Sequence, residues 1–550
     1  MNYDDCEAGA RAIPRGRPDG EACARNCVTR KEFIAAGAAF AGGAGRLLAG
    51  GEAPELRVGI ISDIHVSFAK TSGAFEKALR IFDKAKVDAI LIAGDLINYG
   101  MMSELEVVAN TWRKVFPEDK RSDGVQIEKL LITGNHDIMG FLSRFATKIK
   151  SHEDVEKLCF IADRKKYWRE LFGEEYEPIS MKTVKGYRFI LRNWYSFPSS
   201  KTNKLIPPGI PVEKDPTPDF MAKVAGELPA DRPFFYVQHE YMAGTVLHKL
   251  RTMDQEFDST SKLLSSFPNC LALTGHSHFT LIDERSIWQG GFTVVNCSSG
   301  GGVFTPMGRE NGRNILDYGR NPPFEMGETS TRDVKQALVM DVFSDRISFR
   351  RIDTVANMTL GADWVVPLFG GRTVPPSGAP KYDFASRAAS SVAPQFAPGS
   401  KVEVKEIDNG HRRTADGRGM DPEPRRQIVV SFPPVVSTAN SERAFDFSVT
   451  AEMQQGDKTW TCIVEEKRVY SPNFSRAESL DVAPVECAFA RDRIPKKRDI
   501  RFVVRPFNCW GKSGEPISSE WVSFMSDKDK AKLESKKKPG EAEAGAKKKG

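Results

Sequence analysis

Histidine and cysteine are both scarce in this chain, with eight His and nine Cys among 550 residues. No CxxC pair and no zinc-finger spacing occurs, so the cysteines read as core packing rather than metal ligands. Cys6, Cys23 and Cys27 precede the first folded segment; Cys462, Cys487 and Cys509 lie in the last, where the spacing leaves one disulfide open. No apolar run reaches the ~20 residues that span a bilayer. The longest, residues 33–45 (FIAAGAAFAGGAG), is short and rich in glycine. No internal repeat is visible. A large charge excess is missing too: of the formal net charge of +6, residues 526–550 supply nine Lys against five Asp or Glu, and residues 1–53 balance at seven of each sign. The body is close to neutral, which argues against a surface built to embrace nucleic acid. At 40% hydrophobic and 28% charged residues, the composition is globular and excludes a wholly disordered, collagenous or disulfide-scaffold protein.

What is present divides the chain into five parts. Residues 1–53 read as a leader: the 33–45 stretch follows Arg30 and Lys31 and fits the apolar region of a signal peptide. Its string Thr29-Arg30-Lys31-Glu32-Phe33-Ile34 resembles a twin-arginine export signal with Lys in place of the second Arg. The expectation is an exported bacterial protein, periplasmic or extracellular, with no transmembrane segment. Residues 54–368 alternate short β-branched runs with helical periods, which argues an α/β domain. Strands are expected at 57–62, 88–93, 129–133, 187–192, 233–238, 270–274 and 292–297, and helices at 74–86, 103–115, 153–171 and 220–228. Residues 369–426, rich in Pro, Gly, Ser and Ala, read as a connector that includes at most the first strand of the next domain. Residues 427–525 carry short alternating runs without helical period, an all-β sandwich. Within it, IRFVVRPFNCWGKSGEP resembles the end of a fibronectin type III domain. Residues 526–550 form a low-complexity, Lys-rich tail.

The unusual polar residues fall on the ends of the expected strands. The first strand ends in Asp63-Ile64-His65, the second in Gly94-Asp95 and the third in Gly134-Asn135-His136-Asp137. His239 ends the 233–238 strand, and Gly275-His276-Ser277-His278 ends the strand at 270–274. Five of the eight histidines thus stand immediately after strands, together with Asp63, Asp95 and Asn135. Imidazole and oxygen ligands of this kind accept Mn, Fe or Zn alike. The period-two alternation of a strand is expected to send Asp63 and His65, and likewise His276 and His278, to one side. Seven ligands on one rim are too many for one ion and suit two metals bridged by a carboxylate.

The ordered set D-x-H, G-D, G-N-H-D, H, G-H-x-H resembles the signature of the calcineurin-like metallophosphoesterases across residues 55–350. That resemblance implies two packed mixed sheets flanked by helices, a four-layer α/β/β/α sandwich. It implies that Asp63, His65 and His278 hold one metal and Asn135, His239 and His276 the other, with Asp95 bridging. His136 then faces the leaving group as a catalytic residue, with Asp137 orienting it. Purple acid phosphatases carry a Tyr ligand three residues after the bridging Asp and lack the first His. Here Asn98 stands at that position and His65 is present, which sides with the phosphodiesterase-like and nuclease-like branches.

The implied mechanism is hydrolysis of a small phosphate ester, a diester rather than a monoester. Two cations lower the pKa of a bridging water, hydroxide attacks phosphorus in line, and His136 stabilises or protonates the departing alkoxide. An extracellular nuclease of the same chemistry is the alternative within the class. A surface-binding protein with a vestigial metal site is the alternative outside it. His152, His248 and His411 lie off the strand ends and read as surface or structural residues; Trp194 and Tyr195 follow a strand where a substrate could stack. Gly300-Gly301-Gly302 suggests close backbone approach or a flexible lip.

Overall fold

The computed structural model describes residues 52–67, 72–143, 145–195, 203–206, 214–247, 259–305, 330–331, 333–408, 426–454, 461–477, 483–496 and 498–525. All but two residues of the leader, the Lys-rich tail, His248 and His411 lie outside them. The chain clusters into two compact units. The first runs to Pro306 and takes in Ser330–Ser386 and Ser475–Ala477; the second holds Arg387–Phe474 and the chain from Glu478.

The first unit opens with strand β1 (Leu56–Ile61), helix α1 (Ser72–Lys84), β2 (Ala89–Ala93), α2 (Met102–Val115), β3 (Glu128–Ile132) and the one-turn helix α3 (Asn135–Met139). Helices α4 (His152–Leu158) and α5 (Arg164–Phe172) follow, then β4 (Ile179–Val184), β5 (Tyr187–Arg192), α6 (Thr217–Val224) and β6 (Phe234–Gln238). Helix α7 (Ser259–Leu264), β7 (Cys270–Thr274), β8 (Ile287–Gln289) and β9 (Thr293–Asn296) complete a second set of strands. The short pair β10 (Val303–Phe304) and β11 (Ser330–Thr331) precedes β12 (Gln336–Val342), β13 (Arg346–Asp353), β14 (Met358–Thr359) and β15 (Trp364–Pro367).

Two mixed sheets result. One has the order β14-β13-β12-β1-β2-β3, with β15 also on β13; the other has β4-β5-β6-β7-β9-β8. Strands β1, β2 and β3 are mutually parallel, as are β5, β6, β7 and β9, while β12 closes on β1 antiparallel. Alternation along the strands explains the layering. In β2, Ile90 and Ile92 face the helix-side core with Phe75, Leu79 and Phe82 of α1 and Trp112 of α2, whereas Leu91 is equally buried on the opposite face. In β6, Phe234 and Tyr236 join Met221 and Val224 of α6 and Leu264 of α7, while Phe235 and Val237 are buried on the other side. Strands buried on both faces need cover on both faces, which helices outside and sheet against sheet inside provide. The sheets meet at their edges, where Lys182 of β4 donates to the Lys129 carbonyl of β3 at 2.8 Å and Thr133 donates to Asn193 Oδ1 at 2.7 Å.

Two expected helices differ from the reading above. The 153–171 stretch is two helices, because Cys159 is extended (φ −102°, ψ 145°) and bridges Met101, and Phe160 donates to the Gly100 carbonyl. The backbone leaves the helix there to serve the loop after β2. The expected 220–228 helix begins earlier, at Thr217, whose N–H is capped by Asp215 at 2.9 Å. Strands β4, β8 and β12–β15 carried no expectation. Within the Pro- and Gly-rich stretch, Thr373 is fully buried and donates to the Cys270 carbonyl at 2.9 Å, and Tyr382 donates to Gln289.

The strands of the second unit pair antiparallel throughout. Strands β16 (Glu403–Asp408), β17 (Arg426–Phe432), β18 (Asp446–Gln454), β19 (Thr461–Tyr470), β20 (Val485–Ala490), β21 (Asp499–Phe507), β22 (Ile517–Ser518) and β23 (Val522–Ser523) form two sheets. Their orders are β16-β17-β20 and β19-β18-β21-β22, with β23 also on β21. Strict alternation in β21 sends Ile500, Phe502 and Val504 into a core shared with Ile428, Val430, Phe447 and Phe489. Among the described residues, Cys462, Cys487 and Cys509 are not joined to one another by a disulfide. No helix among the described residues is long and apolar enough to cross a membrane.

Candidate metal centre

Five loops at the C-terminal ends of β1, β2, β3, β6 and β7 bring the candidate ligands to one rim, the usual place for a site in a parallel sheet. Asp63, His65 and His278 place their ligand atoms within 4.8 Å of one another; so do Asp95, His239 and His276, and a third group, His65, Asp95 and His136, overlaps both. The His278 Nε2 lies 3.0 Å from Asp63 Oδ1, and the Nε2 atoms of His65 and His278 are 3.1 Å apart. On the other side, His239 Nε2 lies 3.1 Å from Asp95 Oδ2 and 3.1 Å from Asn135 Oδ1. His276 is placed by its backbone, whose N–H donates to Asp63 Oδ2 at 2.9 Å, with its ring 5.1 Å from that of His239.

The pleat of a strand is not what aligns these residues. Asp63, His65, Asp95, His276 and His278 all have positive φ, between 46° and 69°. Non-glycine residues pay for the left-handed region, and such strain concentrates where surrounding structure enforces a functional geometry. The expected alternation at Asp-x-His is therefore replaced by turns after the strands end. Two glycines admit the close approach. A Cβ on Gly134 would stand 2.2 Å from Asp95 Oδ1, and one on Gly275 would stand 2.0 Å from Ser62 Oγ.

The donor set fits metal ions. Four of the five imidazoles have Nδ1 engaged behind the site: His65 on Asn98 Oδ1 at 3.1 Å, His136 on the Asn98 carbonyl at 2.8 Å, His239 on the Ala93 carbonyl at 2.8 Å and His278 on the Gly302 carbonyl at 2.9 Å. Acceptors at Nδ1 fix the tautomer with its Nε2 lone pair turned inward, the usual support of a metal-binding histidine. Asp63 Oδ1 is buried and has no hydrogen-bond donor among the described residues, although its other oxygen takes Ser62 Oγ at 2.6 Å. Metal–nitrogen bonds of ~2.0–2.1 Å place neighbouring ligand atoms about 3 Å apart, which is the spacing observed between these atoms.

Charge in the site is arranged to keep the carboxylates ionised. Burial works against Asp63, but His278 and His239 outweigh it and hold its carboxyl well below the usual range. Asp95 is held down in the same way, against burial, by His239 and His136. Burial and the neighbouring His136 push His65 down to about 3, the neutral form that a metal requires. For His239 burial is overcome by Asp95 and Asp63, which draw it up to about 10.

Asp137 does not orient the His136 ring. Its carboxylate accepts from the Gly134 N–H at 2.7 Å and the Ile97 N–H at 2.9 Å, capping α3 and tying the β2 and β3 loops together. Burial and the Asp95 charge push it up to about 8. The ring is instead held by Asn98, and the His136 N–H donates to Asp95 Oδ1 at 2.8 Å.

A family model for the calcineurin-like phosphoesterases matches residues 56–278, a span that contains all nine candidate residues. Residues 56–278 form a calcineurin-like phosphoesterase domain. The chain is accordingly a metal-dependent phosphoric ester hydrolase. No curated protein matches it. Among solved structures, a dimetal phosphatase from Danio rerio is similar at 11% identity and a TM-score of 0.33, over 57% of this chain and 99% of that one. GAP50, the anchor in the inner membrane complex of Plasmodium, is similar at 12% identity and a TM-score of 0.31, over 57% and 88%. A zinc complex of Vps29 from Entamoeba histolytica is similar at 10% identity and a TM-score of 0.24, over 57% and 99%.

The phosphoesterase domain also uses residues without a motif. Ser299 Oγ donates to the Asp63 carbonyl at 2.9 Å, and the Gly300 and Gly301 N–H groups donate to Ser62 and Asp63. The three-glycine run is thus a close backbone approach, and its Gly302 carbonyl holds His278. Phe304 stacks on His278 with centroids 5.0 Å apart. The half-buried rings of Trp194 and Tyr241 flank His276 at 6.3 and 5.9 Å, whereas Tyr195 lies over the Arg192 guanidinium. His152 is exposed at the start of α4, away from the rim. A serine three residues past a strand end or a carbonyl acceptor has no sequence signal of its own.

Proposed function

We propose that this chain is an exported phosphoesterase with two metal ions at the rim, acting on phosphodiesters in preference to monoesters. Asp63, His65 and His278 hold the first ion, Asn135, His239 and His276 the second, and Asp95 serves both. The observation that carries this reading is the convergence of four Nδ1-anchored imidazoles on two buried carboxylates, one of them with an undonated oxygen. Bound metals would supply an activated water and neutralise charge on the phosphoryl oxygens. The chain's own contribution is to fix the imidazole tautomers, to keep Asp63 and Asp95 ionised, and to aim His136. With Nδ1 donating to Asn98, the Nε2 of His136 is left to hold a proton for the departing oxygen. The diester preference rests on His65 and on Asn98 at the position where a monoesterase of the purple type has its Tyr ligand.

Export is supported by the leader string and its apolar stretch, and N-terminal sequencing from the native host tests it; an intact leader on cytosolic protein would overturn it. A fibronectin type III-like identity for the second unit is supported by its three-stranded and five-stranded antiparallel sheets, ordered β16-β17-β20 and β19-β18-β21-β22 with β23 also on β21.

The catalytic reading is tested on Mn-loaded protein with bis-p-nitrophenyl phosphate, a monoester analogue and single-stranded DNA. Turnover fastest on the simple diester is expected; preference for DNA would turn the reading to a nuclease, and no turnover would end it. The Asp95→Ala variant should lose activity altogether. The His136→Ala variant should keep its metal content and lose ~10²–10⁴-fold in rate. Collapse of metal content in His136→Ala would show that its role was misassigned.

A further inference from the structure

Asn98 follows β2 by five residues, and both of its oxygens are used at the rim. Its side-chain Oδ1 accepts the Nδ1–H of His65 at 3.1 Å, and its main-chain oxygen accepts the Nδ1–H of His136 at 2.8 Å. The two rings it holds meet edge to face, with centroids 4.6 Å apart. Asn98 is pinned in turn by its own N–H, which donates to the Val66 carbonyl at 3.2 Å in the loop that carries His65.

The turn beyond it is tied down from below. Glu104, in the first turn of α2, accepts the N–H groups of Tyr99 at 2.9 Å and Met101 at 3.2 Å through a single oxygen, Oε2. Glu104 is 1% exposed, and its other oxygen has no hydrogen-bond partner among the described residues. A buried carboxyl left half-satisfied costs stability, and a surface Ser or Asp would cap a helix without that cost. The arrangement gains a rigid path from the 99–101 turn to Asn98.

We propose that Asn98, braced by Glu104, is a positioning residue that sets two histidines of different duty at once. Its side chain orients the metal-binding His65, and its main chain orients His136, which faces the leaving group. The inference rests on the two-metal phosphoesterase reading of the rim. It separates by atom. Truncating Asn98 removes only the acceptor of His65, so the loss falls on metal affinity and spares the leaving-group step. Asn98→Asp keeps an oxygen in place and restores affinity. Removing Glu104 loosens the turn and disturbs both histidines.

The test uses the full chain. Mn²⁺ is titrated by calorimetry into metal-stripped wild type, Asn98→Ala, Asn98→Asp and Glu104→Leu. At saturating Mn²⁺, rates are then compared for aryl phosphodiesters with a good (p-nitrophenolate) and a poor (phenolate) leaving group. Asn98→Ala should lose ~10–100-fold in affinity for one ion, with the ratio of the two rates unchanged. Asn98→Asp should bind as wild type does. Glu104→Leu should lose affinity and fall furthest on the poor leaving group. If Glu104→Leu does not fold, the two Asn98 variants carry the test. Wild-type affinity in Asn98→Ala, beside a wild type that binds Mn²⁺ and turns over, overturns this inference alone. A wild type that binds no Mn²⁺ overturns the phosphoesterase reading and this one with it.

Discussion

The Nε2 atoms of His65 and His278 face each other at 3.1 Å, while each ring gives its Nδ1–H elsewhere, to Asn98 and to Gly302. Neither Nε2 then has a hydrogen to offer the other, and two lone pairs are held together beside the undonated Asp63 Oδ1. A bound metal ion would relieve that arrangement. Chelation should therefore lower the melting temperature, and Mn²⁺ or Zn²⁺ should restore it, by about 2.7 kcal/mol at a hundredfold excess over Kd. In His278→Ala the metal-free protein should be no less stable than metal-free wild type, and the gain on adding metal should shrink. Calorimetric melting of the four samples checks it; a His278→Ala variant with the full metal gain would contradict it.

Gly134 makes a steric prediction. Its φ of −110° is open to any residue, so the demand for glycine comes from space alone. An added methyl would meet Asp95 Oδ1 at 2.2 Å and His239 Cδ2 at 2.7 Å. Both atoms belong to candidate ligands, and neither can yield without moving the site. Gly134→Ala should cost about 1–3 kcal/mol by overpacking and should lower metal stoichiometry at the Asp95 and His239 side. Elemental analysis and a melting curve measure the two effects. Full metal content with full activity would show that the site has slack there.

Glu104 predicts a pH dependence of stability. Burial pushes its carboxyl up to about 7 from an ordinary 4.5, against the opposing hydrogen bonds from the Tyr99 and Met101 N–H groups and the more distant Lys148. Because the folded value is raised, its favourable contribution is complete below about pH 4.5 and is lost as pH rises through about 7. Glu104→Gln keeps an oxygen for the two N–H groups and carries no proton to lose. The variant should match wild type below about pH 4.5 and melt at a higher temperature above about pH 7. Equal melting curves at both ends would place the charge of Glu104 in contact with solvent.

The fold and site were legible in unequal degree. The strands β1, β2, β3, β5, β6, β7 and β9 stood out because strands buried on both faces are nearly continuous apolar runs. The polar residues that interrupt those runs marked the rim. The split between α4 and α5 was hidden, because the cause is a backbone partner at Gly100 and Met101, some 60 positions earlier in the chain. Strand β12 joins β1 from about 280 residues downstream, a register that no local pattern encodes. Asp137 was misread for a related reason: its neighbour in sequence is His136, but its carboxylate turns away to Gly134 and Ile97.

Local chemistry therefore specified the identity and order of the metal-ligating side chains, since hydrophobic strands and the polar residues that end them are neighbours along the chain. Long-range packing specified how those side chains are held. The positive φ angles at Asp63, His65, Asp95, His276 and His278, the acceptors behind four of the imidazoles and the double duty of Asn98 arise when loops distant in sequence are pressed together. Tautomer and orientation depend on such neighbours, and neighbours in space exist only once both sheets have formed.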